Sequence, residues 1–181
     1  MNNSYEIIDQ LSPDDALAVL KALARDDETL AARIAESATA HLSKVDPEEV
    51  AFGLYEELDS LEVEEIWDRA GQSRHGYVSP GEAAGDMVDE VIAPYLGELA
   101  KYQKLGMSAE SNRMCMGLLL GLHRFDDEST STFKEWAPDT AGIFAETVVD
   151  AWKAGSPRRA DVKALRAFIE NELFGWGARF V

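Results

Sequence analysis

The sequence predicts an all-α protein of about eight helices paired in antiparallel hairpins, built as a right-angled bundle or a short α-solenoid. Three observations predict it. The same helix-start grammar recurs: Ser12-Pro13-Asp14-Asp15, Asp46-Pro47-Glu48-Glu49 and Ser79-Pro80-Gly81-Glu82 each set a capping side chain before proline and acids, and Ser156-Pro157 precedes the last helix. Between those signals apolar residues return at spacings near 3.6. No run sustains strand-like alternation and no Asn-Gly or Asp-Gly pair occurs, so no sheet is expected.

The first helix is expected over about 13–25, with Leu17, Leu20, Leu23 and Ala24 on one face. A second over about 28–43 turns Leu30, Ile34, Ala38 and Leu42 inward. A third, about 47–60, carries Val50, Leu54, Tyr55 and Leu58, and a short one to about 70 carries Val63, Ile66 and Trp67. Gly71 to Gly81 reads as a loop. The long element over about 82–105 contains Pro94, which removes one backbone hydrogen bond and is expected to kink it, and Gly106 closes it. Ser108 is placed to cap the next helix, about 109–125. That helix is apolar over much of its circumference and is therefore assigned the most buried position. A polar connection with a short turn to Trp136 leads to the last pair. The first of these, about 139–154, turns Ile143, Phe144, Val148 and Trp152 inward; the second, about 158–174, turns Val162, Leu165, Phe168, Ile169 and Leu173 inward.

The hairpins are thus 13–43, 47–70, 82–125 and 139–174. Each has an apolar stripe it cannot bury alone, so neighbours must stack. With 181 residues, 46% of them hydrophobic, the chain is expected to form one domain, 1–181, with 1–70 and 79–181 as its natural halves.

Charge narrows the partners. Lys and Arg total 17 against 34 Asp and Glu, a net charge of -17. Polyanionic nucleic acid and anionic membrane surfaces repel such a body, so neither is an expected partner. A protein partner, a basic one in particular, is compatible with it, as is a homo-oligomer. Residues 1–70 carry net -13, residues 71–154 net -6, and residues 155–181 net +2, which makes the C-terminal helix the one locally basic element.

The single cysteine, Cys115, excludes an internal disulfide and a cysteine-based zinc cage, and its apolar surroundings mark it as a buried small hydrophobe. The opening Met-Asn-Asn-Ser-Tyr-Glu lacks the basic-then-apolar pattern of a signal peptide, and apolar runs stay far below about 18 residues. The cytoplasm is the expected location.

Two stretches carry a family resemblance. Leu20-Lys21-Ala22-Leu23-Ala24-Arg25-Asp26-Asp27-Glu28-Thr29-Leu30-Ala31-Ala32-Arg33 resembles the first hairpin of the helical-repeat regions that accompany SWIM zinc-finger proteins of bacteria and archaea. So does Gly97-Glu98-Leu99-Ala100-Lys101-Tyr102-Gln103-Lys104-Leu105-Gly106-Met107-Ser108-Ala109-Glu110, where one helix ends at glycine and another begins at once. The likeness covers residues 14–43 and 82–125. It implies a tetratricopeptide-like or HEAT-like array used for protein contacts. The finger itself needs three cysteines and a histidine, so its metal and nucleic-acid roles do not carry over, and no catalytic residue comes with the resemblance.

Chemistry-bearing constellations are few. No histidine follows a glutamate by three residues, and no His-Glu-x-x-His run, nucleophile elbow or phosphate-binding loop is present. The paired acids lie at helix starts or on polar faces, and no cofactor is expected. His123 with Asp126 and Asp127 shares a helix face. With His41 and His75 it makes a candidate metal site of imidazoles and carboxylates, or else a helix C-terminus followed by a solvated acidic loop. Arg74 and Tyr77 sit in the longest loop, placed to hold an anion or a peptide or to plug the core. Arg158, Arg159, Lys163 and Arg166 form the basic set. They face an acidic partner or pair with the acidic N-terminal helices, within the fold or across a dimer. The tail with Trp176 and Phe180 is an exposed interface patch or a folded-back closure of the core. The composite expectation is a non-catalytic helical interaction or adaptor module, free or as a subunit of a larger assembly. The alternative is a metal-binding helical bundle or an enzyme using His41, His75, His123 and nearby carboxylates.

Overall fold

The computed structural model describes the backbone at residues 3–74, 76–173 and 175–180, and it is an all-α fold. Its helices are α1 (Asn3–Asp9), α2 (Pro13–Asp26), α3 (Glu28–Leu42), α4 (Pro47–Asp59), α5 (Val63–Arg69), α6 (Pro80–Lys104), α7 (Ser108–Glu128), α8 (Thr140–Ala154) and α9 (Arg159–Glu172). Short 3-10 helices span Thr132–Trp136 and Trp176–Arg179. Among the described residues no helix is long and apolar enough to cross a membrane.

Local chemistry explains the starts. Ser12 Oγ accepts from the Asp15 N–H at 3.2 Å, and the Asp46 carboxylate accepts from the Glu48 N–H at 2.9 Å. Ser79 and Glu82 cap each other reciprocally: the Ser79 hydroxyl accepts from the Glu82 N–H, and the Glu82 carboxylate accepts from the Ser79 N–H at 2.8 Å. Those hydrogen bonds hold the Glu82 carboxyl below its ordinary range. Ser108 is not a cap; it is the first residue of α7, and Met107 precedes it without a side-chain bond. At the other junction Gly106 takes φ +70°, and the Met107 N–H reaches back to the Tyr102 carbonyl at 2.9 Å, closing α6 in a left-handed turn. The chain continues helically through the exposed Pro94.

The expectation of no sheet is corrected. Gly71–Ser73 (β1) and Gly76–Val78 (β2) pair antiparallel, with Gln72 opposite Tyr77. Strands of three residues are too short to display alternation. Gly71 and Gly76 open them at φ +119° and +131°, conformations readily open to glycine.

The chain divides into two compact units, 1–44 and 45–181. The division falls after Lys44, not within the 71–78 segment, because α4 belongs to the core of the second unit. There α7 is the centre, with α4, α6, α8 and α9 packed on it and α4 making the most extensive contact. Gly117 and Gly121 permit that approach. A Cβ at Gly117 would lie 2.6 Å from Val50 Cβ, and one at Gly121 would lie 2.9 Å from the Ala51 carbonyl oxygen. Leu54, Leu58, Leu118, Leu122 and Leu165 are fully buried around this axis. The 47–70 hairpin is therefore not the packing unit; α4 spends its apolar stripe on α7.

In the first unit α2 and α3 pack against each other and bury no residue. Leu17, Leu20 and Leu23, expected inward, are 44–49% exposed, because one neighbour covers only part of a stripe that wide. Trp67 and Ile143, also expected inward, are exposed; the Trp67 ring stands edge-on to Trp136 at 4.8 Å.

Candidate functional site

The tail organises the most distinctive surface of the second unit. After α9, Gly175 at φ +86° reverses the chain and the Trp176–Arg179 turn folds back. Gly177 is buried, with room for no side chain: a Cβ there would meet Ile169 at 2.8 Å. Phe180, a candidate partner-binding residue, is 5% exposed, its carbonyl accepting from Lys153 Nζ at 3.3 Å. The folded-back form is the one adopted, so the Phe180 ring faces the core. Phe174 and Val181 lie outside the described residues.

Trp176 stays at the surface and ties the end of α7 together. Its indole N–H donates to the Asp126 carboxylate at 2.8 Å, its ring lies 5.2 Å from His123, and Phe180 meets it edge-on at 5.1 Å. From the start of α8, Asp139, Ile143 and Glu146, spaced four and three apart, supply the facing wall. These side chains line a cleft of about 350 Å³. No ion pair among the described residues engages its three carboxylates. An indole, an aliphatic side chain and three carboxylates suit a cation carried on an apolar stem, as in lysine or arginine.

The candidate metal residues fall on separate elements. His41 lies on α3 of the first unit, exposed, and His123 on α7 of the second, against an indole rather than a carboxylate. Asp127 is exposed, and His75 lies outside the described residues. Among the described residues no group of three histidine, cysteine or acidic side chains is placed to hold a metal ion. Asp126 is instead the acceptor for Trp176, and its backbone carbonyl takes Lys134 Nζ at 2.5 Å.

The basic set splits. Arg158 turns back onto Asp161, its Nε and Nη2 donating at 2.9 and 3.1 Å, while its backbone N–H donates to the same buried carboxylate at 3.2 Å. The guanidinium holds the Asp161 carboxyl below its ordinary range. Arg159, Lys163 and Arg166 edge a shallow groove along α9 and enter no ion pair among the described residues. Arg74, in the turn of the β-hairpin, and Tyr77 on β2 are exposed, Tyr77 to 66%, so Tyr77 does not plug the core.

Cys115 is fully buried, and burial pushes its thiol well above the ordinary range. The native protein is therefore expected to resist iodoacetamide at mildly alkaline pH, whereas the urea-unfolded chain alkylates readily. Labelling of the folded protein as fast as the unfolded one would contradict this burial.

Sequence reasoning missed Asp139, Ile143 and Glu146. Their acid–isoleucine–acid spacing is visible in the sequence, but Ile143 also continues the inward stripe of α8, and the apolar assignment prevailed. Comparison with protein-family models, with curated proteins and with solved structures returned no match. The likeness to SWIM-associated helical regions thus rests on the quoted residues alone.

Proposed function

We propose that the chain is a non-catalytic helical protein-interaction module whose second unit receives a basic segment of a partner. The observation that carries this reading is the cleft of Asp126, Asp139, Ile143, Glu146 and Trp176, which sets an indole and an aliphatic side chain among carboxylates without cationic partners among the described residues. The second unit holds 26 acidic against 13 basic residues, and that field raises the encounter rate with a basic partner. A tetratricopeptide-like or HEAT-like array of the SWIM-associated kind is a reading of the same class.

The test is fluorescence anisotropy with a labelled amphipathic peptide of lysine and leucine. Asp139→Asn with Glu146→Gln is expected to weaken binding about tenfold, since each removes a charge-assisted contact. A control of equal charge change outside the cleft, Glu62→Gln with Glu64→Gln, is expected to leave affinity nearly unchanged. Equal losses from both pairs would mean diffuse attraction and would overturn the cleft.

A further inference from the structure

The first unit presents a problem of its own, independent of the cleft. It comprises 44 residues, near the limit of about 40 below which a unit usually needs a disulfide, a metal or a partner chain to hold its fold. Its two long helices bury nothing. Between them runs a groove of about 520 Å³ floored by Leu20, Leu30, Ile34 and Ala38. Val19 and Leu23 of α2, 46% and 44% exposed, extend the apolar surface.

The edges of that surface carry opposite charge. On α3 the groove is edged by Arg33, Ser37 and His41, four residues apart. On α2 the line beside Leu23 is Asp15, Val19, Ala22 and Asp26, at spacings of four, three and four. Both helices are right-handed and antiparallel, so the side of α3 that shows Arg33 corresponds to the side of α2 that shows this acidic line. One edge of the face is acidic and the other carries the Arg33 guanidinium. None of Asp15, Asp26, Arg33 and His41 enters an ion pair among the described residues.

We propose that this face pairs with the same face of a second copy, the two α2–α3 hairpins forming an antiparallel four-helix bundle. A two-fold interface must be self-complementary, and this face is. With the axis parallel to the helices, α2 of each copy lies antiparallel over α3 of the other. Asp26 and Arg33 are both near the α2–α3 turn, so carboxylate meets guanidinium there twice over, while Asp15 and His41, both near the opposite end, pair an acceptor with an imidazole N–H. An axis across the helices would set the acidic edges against each other. Charge also selects this unit as the meeting place: it holds eight acids and four bases, net -4, against -13 for the rest of the chain. The helices' polar lines thus fix the register, while the apolar groove supplies the adhesion.

Sedimentation equilibrium of the full chain tests this. The expected mass approaches twice 19.9 kDa at about 100 µM protein and falls toward 19.9 kDa on dilution. Arg33→Glu and Asp26→Lys, both at exposed positions, are each expected to raise the dimer Kd about tenfold or more, since each change is counted twice across the axis. Combining them restores the pairing with signs exchanged and returns the Kd to near its original value. Far-UV circular dichroism of all three variants should match the parent chain. A monomer at every concentration, the result if a different protein covers the groove, overturns the proposal. So does a dimer indifferent to Arg33→Glu, or a double variant as weak as the singles.

Discussion

Replacing both Gly117 and Gly121 with alanine lowers the stability of the second unit by about 2–4 kcal/mol, although alanine is the better helix former. Two effects oppose each other at each position. Alanine improves helix propensity by about 1 kcal/mol. The added methyl group, however, must enter space already filled. At Gly117 it would meet Val50 Cβ at 2.6 Å and the Pro47 carbonyl oxygen at 2.8 Å; at Gly121 it would meet the Ala51 carbonyl oxygen at 2.9 Å and Leu54 Cβ at 3.1 Å. Overpacking of a well-filled core costs about 1–3 kcal/mol, and here the obstacles include backbone, which yields only if α4 moves as a body. Overpacking therefore wins. Because either methyl displaces the same helix, the two losses add incompletely. The comparison that isolates the cause lies on α6. A methyl group added at Gly85 or Gly97 would meet nothing within 4 Å, so Gly85→Ala and Gly97→Ala are expected to raise stability by roughly 0.5–1 kcal/mol each. Urea midpoints that rise for all four substitutions would show that α4 and α7 do not approach so closely.

That contrast marks how far the sequence can be read. The burial of α7 is legible, because Met114 to Leu122 is apolar around the helix and such a helix belongs at a centre. Its partner is not. An apolar stripe says that a helix must be covered and nothing about which neighbour covers it, so sequence order pairs α4 with α5 when its contact is with α7. Caps at Ser12, Asp46 and Ser79 are legible because they are settled within three residues. The β1–β2 pair is not, since three residues hold too little pattern. For the candidate site the same distinction holds. Arg159, Lys163 and Arg166 share one side of one helix, and spacing alone finds them. The cleft joins the end of α7, the start of α8 and Trp176, and only the reversal at Gly175 brings the indole to Asp126. Spacing within a helix is local information; a site made by a folded-back tail is not.

Phe133→Ala is expected to cost about 3–5 kcal/mol, in a segment that reads as a polar connection. The residue is fully buried, in a 3-10 helix of five residues that lies against α6. Polar neighbours place it there. The Ser129 hydroxyl donates to Asp59 at 2.5 Å and accepts from the Ser131 N–H at 3.1 Å, while the Ser131 hydroxyl accepts from the Phe133 N–H at 3.3 Å. Lys134 Nζ, on the next residue, binds the Asp126 and Ser129 carbonyls at 2.5 and 3.1 Å. The polar sequence is thus the clamp and the single aromatic ring the anchor. Phe133→Leu, which keeps most of the volume, should cost less than about 1.5 kcal/mol, and Ser129→Ala about 1–2 kcal/mol through the lost bond to a carboxylate. Thermal or urea unfolding ranks the three. A Phe133→Ala loss within about 0.5 kcal/mol, as for a surface site, would remove the anchor from the account. Peptide affinity gives a second readout. Asp139 lies three residues beyond this anchored turn, so a loosened Phe133 frees one wall of the cleft. Binding of the lysine–leucine peptide should weaken even where the protein remains folded.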